Sequence, residues 1–158
     1  MSLEIIEKIR EKESLDLALE NALNKLKRAV KKRNDDLHLL SVVTVDDKNK
    51  PNTRNVVLRD FSIDNLTIRF HTDKRSSKIK DIKRNKAICL IGYDKKAKLQ
   101  IRIDADAYSI SDEETLLDIW KKMYPMSREC YRVSRSPGDK IESLNEVTFD
   151  KDDETNLI

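Results

Sequence analysis

Glycine is nearly missing: the 158 residues hold only Gly92 and Gly138, and neither stands in a glycine-rich loop. That excludes the Walker A loop and the GxGxxG dinucleotide fingerprint, both of which need backbone to approach a phosphate closely. If this chain grips a phosphate, side chains must do much of the work. Cysteine is as scarce, and Cys89 and Cys130 have no CxxC spacing and no neighbouring histidine, so they read as ordinary thiols and no metal site is expected. No apolar stretch approaches the roughly 20 residues of a membrane span, and "MSLEIIEKIREKE" is acidic where a signal peptide would be basic and then apolar. A soluble, cytoplasmic protein without a membrane partner is the expectation. Excess charge of one sign is also lacking, since 32 Lys and Arg meet 29 Asp and Glu for a net +3. A chain built mainly to coat nucleic acid would carry more.

Charged residues are abundant at 39% and aromatic ones few at 5%, yet the apolar positions are periodic, which argues against disorder. Leu15, Leu19, Leu23, Leu26 and Val30 recur at helical spacing, with Ser14 as an expected N-cap. Residues 37–45, "LHLLSVVTV", read as a strand, and the turn-like "DDKNKPN" leads to its hairpin partner at 53–61. Leu66, Ile68 and Phe70 alternate in a third strand over 66–72, a short helix follows from Ser76 to Asn85, and "AICLIGYD" and "LQIRIDADAYSI" add two strands. In the last of these, Gln100, Arg102, Asp104 and Asp106 alternate with apolar residues, as on a half-buried strand.

Ser111 and Glu114 fit a capping box for a helix with Leu116, Leu117, Trp120 and Met123 on one face, ended by Pro125; a second helical stretch is expected over 126–132. In the turn-rich end only "EVTF" is a strand candidate. The order of elements argues for an α+β, mainly β, protein with its antiparallel sheet closed into a small barrel. One domain over 1–158 is expected: an N-terminal helix at about 14–33, a core at about 35–110, C-terminal helices at about 111–135 and a tail over 136–158.

Positive charge concentrates in "FHTDKRSSKIKDIKRNK", residues 70–86. Lys74, Arg75, Ser76, Ser77 and Lys78 fall at the start of the short helix, where unpaired N–H groups, hydroxyls and cations together suit a phosphate. Arg54 and Arg59 bracket "NVVL" in the second strand. They are either charged tips of a core strand or, if the hairpin brings Arg54 to that turn, part of the same cradle. An odd separation puts them on opposite strand faces, so either a bulge lies between them or they serve different parts of a site. His38, inside an apolar strand, reads as a satisfied core histidine.

"RNVVLR", "HTDKRSSK" and "LQIRIDADAYSIS", in that order over about 35–138, resemble the FMN-binding split barrels of the pyridoxamine 5'-phosphate oxidase type. The resemblance implies a split barrel that binds FMN as cofactor. Arg54 and Lys78 would hold its phosphate, helped by Ser76 and by Arg75 or Ser77. Asn55, Val56, Val57, Leu58 and Arg59 would line the ring and ribityl chain, with His71 and Thr72 nearby and Gln100 reaching in from a partner subunit. It implies a homodimer with the site at the interface, and an oxidoreductase moving hydride from a small amine or alcohol, phosphorylated and vitamin B6-like, to FMN. Substrate contacts would fall to Arg59, Arg128, Tyr131 and Arg132; no residue is singled out as catalytic.

Arg59 stands where these oxidases commonly carry Lys, His71 where they carry Tyr or Phe, and the Arg-x-His substrate motif has no counterpart after Gly138. The alternatives are a flavin-binding or flavin-shuttling module without turnover, and nucleic-acid binding through 74–86, which lacks the interleaved aromatics such a surface uses.

Overall fold

A computed structural model describes residues 3–149, with side chains from Ser14 onward. The acidic end 150–158 of the expected tail, whose order the sequence leaves open, lies outside the described residues. Helix α1 (Leu3–Lys31) begins well before Ser14, which is therefore an interior helical residue and not an N-cap. Five strands follow: β1 (Leu39–Val45), β2 (Pro51–Ser62), β3 (Thr67–Phe70), β4 (Ala87–Asp94) and β5 (Leu99–Asp106). They form one sheet in the order β3-β2-β1-β4-β5. Helix α2 (Ser77–Arg84) enters between β3 and β4, and α3 (Glu113–Lys122) and the single turn α4 (Pro125–Arg128) follow β5. The class is α+β, mainly antiparallel β.

Local chemistry accounts for the boundaries. Asn49 and Lys98 take the left-handed conformation (φ 59° and 51°) in the turns after β1 and β4. Leu66 does the same (φ 50°) and is 67% exposed, so it belongs to the turn before β3 and not to the apolar face of the strand. Asp112, not Ser111, caps α3, its carboxylate accepting from the Thr115 amide at 2.8 Å. A carboxylate at the first turn of a helix satisfies a free N–H and complements the dipole at once, which a neutral serine does only in part. Pro125 opens α4 at its N-terminus instead of ending α3. The candidate strand "EVTF" is reduced to a single bridge between Val133 and Phe149.

Close contacts divide the chain into two units. The first comprises 1–40, 57–70 and 91–102. Its buried residues include Leu26, Ala29, Leu37, Leu40, Leu58 and Phe61. Lys25 pairs with Asp94 at 2.6 Å and Arg28 with Asp35 at 2.8 Å, and His38 is satisfied by the Ala29 carbonyl at 2.7 Å. Of the expected α1 face, Leu26 is buried while Leu15 and Leu19 are exposed. Gly92 fits here because a Cβ would come within 2.6 Å of Leu40 Cδ2 and 2.8 Å of Leu37 Cδ2.

The second unit comprises 41–56, 71–90 and 103–158. Val42, Val56, Ile79, Ile82, Ile88 and Leu90 are buried in it, and so are Thr44, Thr72, Asp73, Ser76, Lys78 and Asp81. Six apolar side chains would explain a core; six polar ones together call for another reason. A separate cluster joins Trp120, Met123 and Tyr131, with the two rings edge to face at 6.2 Å.

Candidate anion site at the start of helix α2

The turn 71–76 delivers Lys78 inward. Ser76 stands at the N-cap of α2 but makes no side-chain cap; its hydroxyl accepts from Lys78 Nζ at 2.8 Å instead. Thr72 accepts from the same ammonium at 2.7 Å. An ammonium has three N–H donors, so one is left over. Among the described residues no carboxylate lies at ion-pair distance from Lys78. Burial pushes the Lys78 amine below the usual lysine range, and nearby Arg54 pushes it the same way, against a smaller upward pull from Asp73.

Arg54 comes to this corner from β2. Its Nη1 donates to Thr44 Oγ1 at 2.6 Å and to the Asn52 carbonyl at 3.0 Å, and its Nη2 stands 3.8 Å from Asp81 Oδ2. Thr44 donates in turn to Asp81 Oδ2 at 2.6 Å. Burial lowers the Arg54 guanidinium from its usual value, with Asp81 opposing. A buried ammonium and a half-buried guanidinium near each other are mutually unfavourable until an anion joins them. A phosphate group fits: the free Lys78 donor, the Ser76 corner and the α2 N-terminus together offer charge and hydrogen bonds.

Arg75 goes elsewhere. Its guanidinium grips both carboxylate oxygens of Asp73, Nε donating to Oδ1 at 3.0 Å and Nη2 to Oδ2 at 2.7 Å, and donates to the Val133 carbonyl at 2.8 Å and the Ser134 carbonyl at 3.2 Å. It ties the turn to the C-terminal segment. Ser77 is exposed, His71 half-buried, and Asn55 is exposed with Oδ1 accepting from Ser41 at 2.8 Å. Val56 is a core residue.

Val57, Leu58, Arg59 and Gln100 belong to the first unit. There Leu58 is fully buried and Gln100 exposed on β5. Pairing of β2 with β3 skips a residue, from Leu58↔Phe70 to Asp60↔Arg69, so Arg59 is the extra residue of a bulge. The bulge falls at Arg59 itself and not between the two arginines, and the alternation carrying Arg54, Val56 and Leu58 runs unbroken up to it. Arg59 Nε is buried with no hydrogen-bond partner among the described residues.

Of the expected substrate residues, Arg128, Tyr131 and Arg132 contact neighbouring chain. Tyr131 is packed on Trp120, Arg128 lies over the Trp120 ring at 5.4 Å and donates to the Lys121 carbonyl, and Arg132 pairs with Glu129 at 3.1 Å. Thr44, Asp73 and Asp81 were not foreseen. Their only sequence signal is polarity at inward positions: Thr44 continues the Leu40, Val42 face of β1, and Asp81 sits one turn from Lys78 between Ile79 and Ile82.

Comparison with known proteins gives this geometry a context. The family model described as "Pyridoxamine 5'-phosphate oxidase, FMN-binding domain" matches residues 19–111. A curated pyridoxine/pyridoxamine 5'-phosphate oxidase of Bdellovibrio bacteriovorus is 36% identical over 90 residues, which is 57% of this chain and 45% of that oxidase. The matched part is thus less than half the length of that relative. Among solved structures, a pyridoxamine 5'-phosphate oxidase-related, FMN binding protein from Nostoc punctiforme superposes with a TM-score of 0.60 at 23% identity, over 82% of this chain and 68% of the other. PhzG from Burkholderia lata, solved with tetrahydrophenazine-1-carboxylic acid, gives 0.60 at 16% identity, over 92% and 63%. These similarities show the fold, an antiparallel split barrel.

Proposed function

Since the chain belongs to the pyridoxamine 5'-phosphate oxidase FMN-binding family, whose cofactor is FMN, we propose that it is an FMN-dependent oxidoreductase holding the FMN phosphate on Lys78, Ser76 and Arg54. Its substrate on this reading is a small phosphorylated amine or alcohol of the vitamin B6 kind, in line with the named activity of its Bdellovibrio relative. The observation that carries the reading is Lys78, a buried ammonium with two hydroxyl partners, a donor to spare and a second cation beside it.

Bound FMN supplies the hydride acceptor. The chain supplies grip and placement: Thr72 and Ser76 aim the Lys78 ammonium, Thr44 aims Arg54, and burial of Thr44, Thr72, Ser76 and Lys78 strengthens the hold on an anion. Nothing in this set requires a protein general base. The same reading makes the protein a homodimer, supported by the exposed Leu15 and Leu19, one turn apart on α1, and light scattering tests it.

A second reading, a flavin-binding module without turnover, draws support from Arg128, Tyr131 and Arg132, whose polar or aromatic groups serve neighbouring chain and not an open pocket. A nucleic-acid surface over 74–86 fares worse. Lys78 and Asp81 point inward, and Arg84 is bound to the Val45 carbonyl at 3.0 Å. No helix among the described residues is long and apolar enough to cross a membrane.

The experiment is direct. The purified protein should be yellow and release flavin on denaturation, and pyridoxamine or pyridoxine 5'-phosphate should bleach the flavin without air. Bound flavin reduced by neither would favour the module. A colourless protein that cannot be loaded with FMN, yet binds DNA with a steep salt dependence, would overturn the family assignment of function.

A further inference from the structure

We propose that Thr44 is a positioning residue: its hydroxyl stands between Arg54 and Asp81 and keeps the guanidinium from closing onto the carboxylate, so that Arg54 remains available beside Lys78. The inference rests on the phosphate reading above.

Thr44 is 1% exposed and continues the inward Leu40, Val42 face of β1, where an apolar residue would serve packing better. A hydroxyl at such a place is costly unless satisfied. Here it is satisfied twice, accepting from Arg54 Nη1 at 2.6 Å and donating to Asp81 Oδ2 at 2.6 Å. With one proton to give, the hydroxyl has one orientation.

A closed guanidinium–carboxylate contact measures about 2.7–2.9 Å, yet Arg54 Nη2 stays 3.8 Å from Asp81 Oδ2. Asp81 is itself buried, and Arg54 is the cation at its side. The hydroxyl therefore does two things: it gives the carboxylate a neutral partner and anchors the guanidinium one contact short of it. Remove the hydroxyl and both groups lose a partner at once. The nearest remedy is the closed ion pair, which would spend the charge of Arg54 on Asp81 and leave Lys78 to hold an anion alone.

A Thr44 that merely fills space in the strand would affect stability and nothing else. The two roles separate in the ratio of riboflavin to FMN dissociation constants, which isolates the phosphate and is read from quenching of flavin fluorescence. Thr44→Val should lower that ratio by about tenfold, the scale of one charge-assisted hydrogen bond, with riboflavin affinity unchanged. Thr44→Ser, which keeps the hydroxyl, should hold the wild-type ratio. Asp81→Asn should not lower it, and Thr44→Val with Asp81→Asn should restore it, because the competing carboxylate is gone. If Thr44→Val does not fold, Thr44→Ala takes its place with the same expectation.

A wild-type ratio in Thr44→Val, an equal fall in Thr44→Ser, a fall in Asp81→Asn, or a double variant no better than Thr44→Val each overturns the role of Thr44. A different result marks failure of the underlying reading: Arg54→Ala and Lys78→Ala both binding FMN and riboflavin in the wild-type ratio.

Discussion

Replacing Lys78 by Met keeps most of the buried stem and removes the ammonium, so its effect on FMN reports the charge. The structure sets the scale. Lys78 Nζ spends two donors on Thr72 at 2.7 Å and Ser76 at 2.8 Å, leaving one for the phosphate. A hydrogen bond to a charged group contributes about 1.5–3 kcal/mol, so the FMN dissociation constant should rise roughly 10- to 150-fold. Riboflavin, without the phosphate, should bind as before. A pH series sharpens the test. Burial and Arg54 hold the amine below the usual lysine range, and a bound phosphate would favour its charged form. Above the lowered value, FMN binding must then take up a proton, and affinity falls as pH rises toward the ordinary lysine range. Without cofactor the sign reverses: between the lowered and the ordinary value the unfolded chain binds more protons, so folding stability rises with pH through that window. Both trends should vanish in Lys78→Met. Isothermal titration with FMN and riboflavin across alkaline pH checks them, and a variant that keeps the pH trend, or loses riboflavin as much as FMN, would refute the placement of the phosphate at Lys78.

Arg75→Ala should leave Asp73, 4% exposed, as a buried carboxylate without its ion-pair partner and release the Val133 and Ser134 carbonyls. A loss of about 3 kcal/mol is expected, with tryptic cleavage after Arg132 and Arg135 appearing first; an unchanged digest and melting point would show the tie to be idle. Gly92→Ala should destabilise by about 1–3 kcal/mol through overpacking against Leu37 and Leu40, read as a lower urea midpoint at constant slope. Leu66→Asn, at an exposed left-handed position, should stabilise by up to about 1 kcal/mol, and a lower midpoint would contradict the turn assignment.

The fold was readable in the sequence wherever period and turn chemistry agreed. Alternation in β1 and β5 and the Ile79, Ile82 face of α2 point the same way at every level, and their placement holds. What misled was local ambiguity. Ser14 follows a run that is helical in its own right, so a good capping residue stands mid-helix. Ser111 and Asp112 are adjacent capping candidates, and only geometry chooses the carboxylate. Leu66 continues an apolar alternation, yet its backbone has already turned.

Of the candidate site, the cations were legible and their counter-charges were not, because Asp73 looks like a turn residue and Asp81 like the wet side of a short helix. Their burial changes the electrostatics that the basic run alone suggests. Arg75 is matched by Asp73 through both carboxylate oxygens, and Arg54 is faced by Asp81, so three cations meet two carboxylates and the surplus falls on Lys78. One surplus charge cannot balance a phosphate dianion. The nearest further cation is Arg54, and its guanidinium can turn N–H donors to the anion only while it is not drawn into a closed contact with Asp81. With no glycine-rich loop to offer backbone amides in number, the strength of this site depends on the 3.8 Å separation that a strand hydroxyl maintains.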